Sequence, residues 1–358
     1  MRASAPIVAS TAAATASLPT APAKALLTTN IVGGMGNQLF LIANLLATAR
    51  RTGIPAYVEA APFSSSSGAP RPTYWGSLFR NLDRHGVQMR TSSPPLPPLP
   101  LVPVPEVRPV QKMRLDAQRT CVYNMIGFFQ SEAFFDDHPI MPSVIPPELR
   151  TYARDHLTTY YDGGRCHTVA MHVRRGDYTD YADIFEQLDV VEYYDAAVRQ
   201  LLGGLLLRSP SPQQQQQQQQ PLLDSALKST AGTQPLPPLH LLVFCDEERF
   251  GRTVVGYFRT KYTGAVMASL VCAETEASVG SANSAVSSLS ESMMPRDVLE
   301  LLMMSQCNDV VMANSTYSWW GAYLNHTPLR RVIAPSRWFV KEPYPASNHL
   351  YCPGWILI

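Results

Sequence analysis

The sequence predicts an α/β fold of parallel sheets, and three observations predict it. Residues 29–58 read as strand, glycine-rich turn, helix and strand. Leu239-His-Leu-Leu-Val-Phe244 is a near-continuous apolar run, the pattern of a parallel strand covered on both faces. Polar clusters then follow four of the expected strands, at Gly33–Gln38, His172–Arg175, Asp246 and Asn314–Ser318. Open α/β sheets bind ligands outside the carboxyl ends of their strands.

Length and charge bound the answer. A chain of 358 residues accommodates roughly two domains, read here as 30–160 and 161–358. A net charge of +1 gives no long-range pull toward nucleic acid or anionic membrane, and no nucleic-acid partner is expected. No stretch approaches the ~18–20 apolar residues of a spanning helix. Cys121, Cys166, Cys245, Cys272, Cys307 and Cys352 form no C-x-x-C pair and no zinc-spaced group with histidine, so they read as buried or idle thiols. Residues 1–29 carry only Arg2 and Lys24 as charged side chains, and the first acidic residue is Glu59. An acid-free, hydroxyl-rich leader resembles an organelle transit peptide; the expected address is the mitochondrion, with the Golgi or cytoplasm as alternatives.

In the first domain the fold is expected to start near Asn30. Thr29–Val32 forms a strand, and Gly33-Gly-Met-Gly-Asn-Gln38 a turn. The helix that follows has Leu39, Ile42, Ala43, Leu46 and Ala49 on one stripe, Arg50 and Arg51 in its last turn, and Gly53 as its stop. Ile54–Val58 is the second strand. The junction presents free backbone N–H groups at a helix start, which suits an anion. Its glycines do not fit G-x-G-x-x-G, and no Lys-Ser/Thr follows as in a P-loop. Residues 94–105 read as an extended polyproline-type insert. Val122–Phe129 is β-rich, and Glu148–Tyr161 reads as the helix that links the two domains.

The second domain opens on Thr168-Val-Ala-Met-His-Val-Arg174, with Val169, Met171 and Val173 on one face and Ala170, His172 and Arg174 on the other. Arg174 and Arg175 stand together at the strand end. Adjacent guanidinium groups repel, and each offers a planar fork of donors that fits phosphate oxygens. The alternative is a solvated strand end in which Asp177 pairs with an arginine. Val191–Leu207 reads as a helix. Residues 208–238, with the glutamine tract Gln213–Gln220, and 273–292 read as low-complexity surface inserts. Arg296–Ser305 is a helix with Leu299, Leu302 and Met303 inward. Asp309–Ala313 is a strand, Asn314–Ser318 a polar turn, Trp319–Leu324 the start of a helix, and Arg331–Ala334 a last strand.

Taken together, Gly33–Phe40, His172-Val-Arg-Arg-Gly-Asp-Tyr178 and Asn314-Ser-Thr-Tyr-Ser-Trp-Trp-Gly-Ala322 resemble, in order, the motifs of the α-1,2-fucosyltransferase family, glycosyltransferase family 11. Phe244-Cys-Asp-Glu247 resembles its Phe-Ser-Asp-Asp element and departs from it at Cys245 and Glu247; Gly127–Glu132 and Val332–Trp338 are smaller echoes. The resemblance implies two Rossmann-like domains in a GT-B-like architecture. It implies inverting transfer of L-fucose from GDP-β-L-fucose to the 2-hydroxyl of a galactoside glycan, with no metal or other cofactor. Arg174 and Arg175 would be the catalytic donor-binding arginines, bridging to the β-phosphate. His172 would contact the nucleoside, with Asp246 nearby, and Asn37 would face the phosphate or the fucose. Ser315, Thr316 and Ser318 would hold the diphosphate, and Gly34, Gly36, Asp177 and Asn314 complete the implied donor site. The general base is unassigned among Glu132, Asp136, Asp177 and Asp246. Two alternatives stay open: a protein O-fucosyltransferase acting on Ser or Thr, and a non-catalytic GDP-sugar-binding or lectin-like protein.

Overall fold

The computed structural model describes residues 24–59, 72–90, 98–160, 166–208, 239–271, 293–341 and 349–358. The leader before Lys24, the glutamine tract and the insert at 273–292 lie outside them.

Two parallel sheets make up the molecule. The first contains β1 (Ala25–Thr29), β2 (Ala56–Glu59), β3 (Val87–Arg90), β4 (Leu101–Pro105) and β5 (Cys121–Ile126), in the order β3-β2-β1-β5-β4. The second contains β6 (His167–Val173), β7 (Leu239–Cys245), β8 (Val266–Leu270), β9 (Asp309–Val311), β10 (Val332–Ala334) and β11 (Ile356–Leu357), in the order β11-β10-β9-β6-β7-β8. Each is a parallel, Rossmann-like sheet, as the sequence predicted. Every residue of β7 is buried, as its near-continuous apolar run requires of a strand flanked on both sides and covered on both faces. In β6 the alternation separates two cores: Val169, Met171 and Val173 face one cluster, and Ala170 the other.

The helices are α1 (Met35–Thr52), α2 (Met141–Val144), α3 (Pro147–Leu157), α4 (Asp195–Arg208), α5 (Glu248–Lys261), α6 (Arg296–Met304) and α7 (Thr316–Tyr323). Gly53 ends α1 in the left-handed conformation at φ +70°, and its N–H donates to the Ala49 carbonyl. The single apolar stripe read for α1 is too narrow. Phe40, Leu41 and Leu45 are buried as well, because α1 lies between the first sheet and α7.

Other boundaries shift for local reasons. The first strand begins at Ala25, ahead of Asn30, so the predicted leader boundary at 29 falls inside a sheet. Thr28 reads as leader and Thr29 as the first residue of the strand, yet the strand ends at Thr29; β-branched threonine suits it, and the Thr29 hydroxyl donates to the Met125 carbonyl at 3.1 Å. The proline-rich segment is not wholly a polyproline insert, since Leu101–Pro105 is an edge strand parallel to β5. The Glu106 N–H donates to the Ile126 carbonyl and the Pro100 carbonyl accepts from the Val122 N–H. Even-numbered positions therefore face β5, and Pro103 and Pro105 fall on the open side, where no N–H is needed. Residues 94–97 lie outside the described ones. In α6, Leu301 and Met304 are buried along with Leu302 and Met303, whereas Leu299 is only partly covered.

The halves meet through aromatic rings and one missing side chain. The Phe40 ring lies 4.5 Å from that of Trp319 and 5.1 Å from that of Trp320. Phe135 stacks on Trp320 at 5.7 Å. At the open end of this contact a Cβ on Gly36 would stand 2.4 Å from the carbonyl carbon of Thr316. Backbone cannot yield as a flexible side chain would, so Gly36→Ala must push α1 and α7 apart. The expected loss is about 1–3 kcal/mol, read as a lower thermal midpoint; an unchanged midpoint would show that the helix starts do not touch in solution.

Candidate active site

The site begins where β6 and β7 end side by side. Their register sets Val173 opposite Cys245, so the next residues, Arg174 and Asp246, emerge as neighbours at the carboxyl edge. The Asp246 carboxylate binds the turn at two points. Its Oδ1 accepts the Arg175 N–H at 2.9 Å, and its Oδ2 pairs with Arg174 Nη1 at 2.7 Å. Gly176 follows at φ +21°, and a Cβ there would stand 2.6 Å from Asp246 Oδ2. Glycine is what lets the carboxylate come so close to the chain.

The paired arginines are not equivalent. Arg174 is held between two carboxylates, since Asp177 Oδ1 accepts from its Nη2 at 2.5 Å, and its guanidinium sits 5.1 Å from the centre of the Tyr178 ring. The ion-paired strand end that the sequence also allowed is present at Arg174. Arg175 Nε is buried and finds no hydrogen-bond partner among the described residues. Its closest carboxylate, that of Glu247, stands at 3.8 Å, and the Phe250 ring lies beneath it at 4.3 Å. A guanidinium seated over an aromatic ring can still present N–H groups to an anion.

His172 points from β6 into the protein, 4% exposed, with Nδ1 buried and unpartnered. Its ring centre is 5.4 Å from that of Tyr317. Burial first, and the Arg174 charge second, push its pKa down to about 3, so the imidazole is neutral and offers one donor and one acceptor.

The start of α7 lies across from the glycine turn. Ser315 caps it, its hydroxyl oxygen accepting the Tyr317 N–H at 3.3 Å. The helix begins at Thr316, three residues earlier than the sequence suggested, because this cap turns the polar run into its first turn. Two implied donor ligands consequently face inward. Ser318 is fully buried and donates to the Ala313 and Ser315 carbonyls, both at 3.2 Å. Asn314 Nδ2 donates to the Glu186 and Trp338 carbonyls, both at 2.9 Å. These two side chains fasten loops and present no donor to a ligand. Thr316 stays at the cleft against Gly36. Gly34 leads into α1 with extended backbone, and Asn37 Oδ1 accepts from Gln130 Nε2 at 2.9 Å. Among the base candidates, Asp177 and Asp246 are engaged with Arg174, Asp136 pairs with Lys112, and Glu132 opens a short 3-10 turn beside Cys352.

Sequence reasoning missed one wall of the site. A cleft of about 310 Å³ is lined by Cys245, Asp246, Arg296, Asp297 and Glu300. Arg296 Nε donates to Glu300 at 2.7 Å. The Asp297 carboxyl bonds the Tyr74 hydroxyl of the other half, and its carbonyl accepts from the Tyr317 hydroxyl at 2.6 Å. Burial pushes the pKa of both Asp297 and Glu300 up. The Arg296/Glu300 spacing was readable, but not the face that α6 turns to the cleft. Among the described residues no three His, Cys, Asp or Glu side chains converge as a metal site.

Residues 283–358 match the model of a known family, the one described as glycosyl transferase family 11. This is the family that the motifs resemble. The matched segment carries α6, β9 and α7, hence the Glu300 wall and the Ser315 cap. An Escherichia coli O-antigen biosynthesis glycosyltransferase, WbnK, is 22% identical over 240 residues, 65% of this chain and 60% of that protein. An Escherichia coli α-1,2-colitosyltransferase is 36% identical over 61 residues, 17% of this chain and 20% of that protein. The chain thus matches less than two thirds of either relative's length. Among solved structures, the fucosyltransferase NodZ from Bradyrhizobium aligns over 84% of this chain and 92% of its own, at 12% identity and a TM-score of 0.38. No helix among the described residues is long and apolar enough to cross a membrane.

The neutral state of His172 can be read directly. A solvent-exposed histidine titrates near 6.5. The His172 ring resonances should stay flat by NMR from neutral pH down to the onset of acid unfolding, because its folded pKa lies well below that value. A midpoint near 6.5 would mean that the ring is solvated.

Proposed function

We propose that this protein is an inverting fucosyltransferase that moves L-fucose from GDP-β-L-fucose to a glycan hydroxyl. The observation that carries the reading is the division of labour at the end of β6, where Arg174 is neutralised by Asp177 and Asp246 while Arg175 makes no hydrogen bond at Nε and has Glu247 only at 3.8 Å.

In the reaction the bond from fucose C1 to the β-phosphate oxygen breaks, and the acceptor oxygen bonds C1 from the opposite face. The acceptor proton leaves to a base or to solvent. Positive charge develops on the sugar ring and negative charge on the departing diphosphate. Arg175 supplies fixed positive charge and a bidentate fork for that diphosphate, and preorganised charge of this kind is often the largest catalytic contribution. Arg174 holds the turn in place. The backbone N–H groups at the starts of α1 and α7 add partial positive charge toward the same cleft. His172, neutral and with an unpartnered Nδ1, suits a hydrogen bond to the nucleoside. The proposed mechanism uses no metal. Transfer to a 2-hydroxyl is supported by the motif resemblance and by the named 1,2 specificity of the colitosyltransferase relative. A galactoside acceptor is supported by the resemblance alone.

Labelled GDP-fucose and a panel of β-galactosides, in excess EDTA, test the reading, with linkage analysis of the product. Wild type should turn over, and Arg175→Lys should lower kcat by about 10²–10³ because lysine keeps the charge but loses the fork. Wild type that leaves GDP-fucose untouched would overturn the reading, and near-normal kcat in Arg175→Lys would overturn the role of Arg175.

A further inference from the structure

Strand β5 runs beside β1 with Met125 opposite Thr29, so residues 127–130 leave the first sheet at the same carboxyl edge as the glycine turn. The backbone there is unusual twice in three residues. Gly127 has φ +146° and Phe129, which bears a side chain, has φ +53°. Glu106, just past β4, holds this turn. Its Oε2 accepts the N–H of Phe128 at 2.9 Å and of Phe129 at 2.7 Å. Arg108 Nε donates to its Oε1 at 2.7 Å. A Cβ on Gly127 would stand 2.5 Å from that of Glu106, so only glycine fits.

The clamp sorts two adjacent phenylalanines. Phe129 is 1% exposed and meets Phe134 edge-on at 5.2 Å. Phe128 is 44% exposed. Folding gains little from a large apolar ring held in water by a strained turn, and backbone outliers of this kind cluster at ligand sites. Two residues on, Gln130 is bonded to Asn37 in the first turn of α1, whose Gly36 abuts Thr316 of the other half. Phe128 therefore stands at the rim where the carboxyl edges of both sheets meet, on the side of the first sheet.

We infer that Phe128 is the acceptor platform, against which the apolar face of the acceptor pyranose stacks while its hydroxyl turns toward the donor. The inference rests on the transferase reading and names its second subsite. A phenyl face offers no hydrogen bond and suits a row of C–H groups, which galactopyranose presents on one side of its ring. Ile126, at the end of β5, is exposed as well.

The test compares wild type with Phe128→Ala and Phe128→Trp, using lactose as acceptor and GDP-fucose hydrolysis without acceptor as the donor-only readout. Phe128→Ala should raise the KM for lactose about ten-fold, the loss expected when one aromatic contact is removed. Its GDP-fucose KM, hydrolysis rate and melting temperature should stay at wild-type values. Phe128→Trp should restore the lactose KM. An unchanged lactose KM in Phe128→Ala would overturn the inference alone, as would a wild type that hydrolyses GDP-fucose but never fucosylates lactose. A wild type inert toward GDP-fucose would overturn the donor reading and the inference together.

Discussion

The Asp246 carboxylate is the contact on which the rest of the site depends. Two adjacent guanidinium groups at a strand end repel each other and would splay into water. Asp246 prevents this from the neighbouring strand by binding one guanidinium and the backbone N–H of the other residue. It also fills the space above Gly176. Both Arg174 and Asp246 are about three-quarters covered, so their attraction is screened less than that of a surface pair. The outcome is one arginine neutralised by two carboxylates, acting as a bracket, and one, Arg175, whose single carboxylate neighbour is the more distant Glu247 at 3.8 Å.

The Asp246 side of this turn lines a cleft together with Cys245 and with Arg296, Asp297 and Glu300 of α6. The two halves are held by the rings of Phe40, Phe135, Trp319 and Trp320, all buried. The rings set the position of α1 against α7, and the bare Cα of Gly36 sets how closely their starts approach. Two helix starts are thereby directed toward the place where the diphosphate is proposed to sit. The Tyr74–Asp297 bond ties the halves a second time, beside the Glu300 wall.

Much of the fold was legible because it follows from local pattern. The alternation in β6, the apolar run of β7 and the Gly53 stop of α1 each have a short-range cause. The glycine turn, the arginine pair and the tryptophan motif also marked the region of the site. What escaped depends on register and facing. Asp246 itself was named for the site, but its pairing with Arg174, far along the chain, depends on the parallel register of β6 with β7. The inward turn of Asn314 and Ser318 follows from the Ser315 cap, which decides where α7 begins. The edge position of β4 excused prolines that argue against a strand when read alone. The face of α6 that carries Asp297 and Glu300 to the cleft was fixed by contact with α3, a tertiary fact.

The most direct test of this account is the affinity for GDP of Asp246→Asn, measured by calorimetry at fixed salt. If Asp246 were merely a negative charge near an anion site, its neutralisation would tighten GDP binding. If it organises the arginine turn, GDP should bind more weakly, because Arg174 loses its partner and Arg175 its fixed direction. Equal or tighter binding in Asp246→Asn, with the fold intact, would contradict the account.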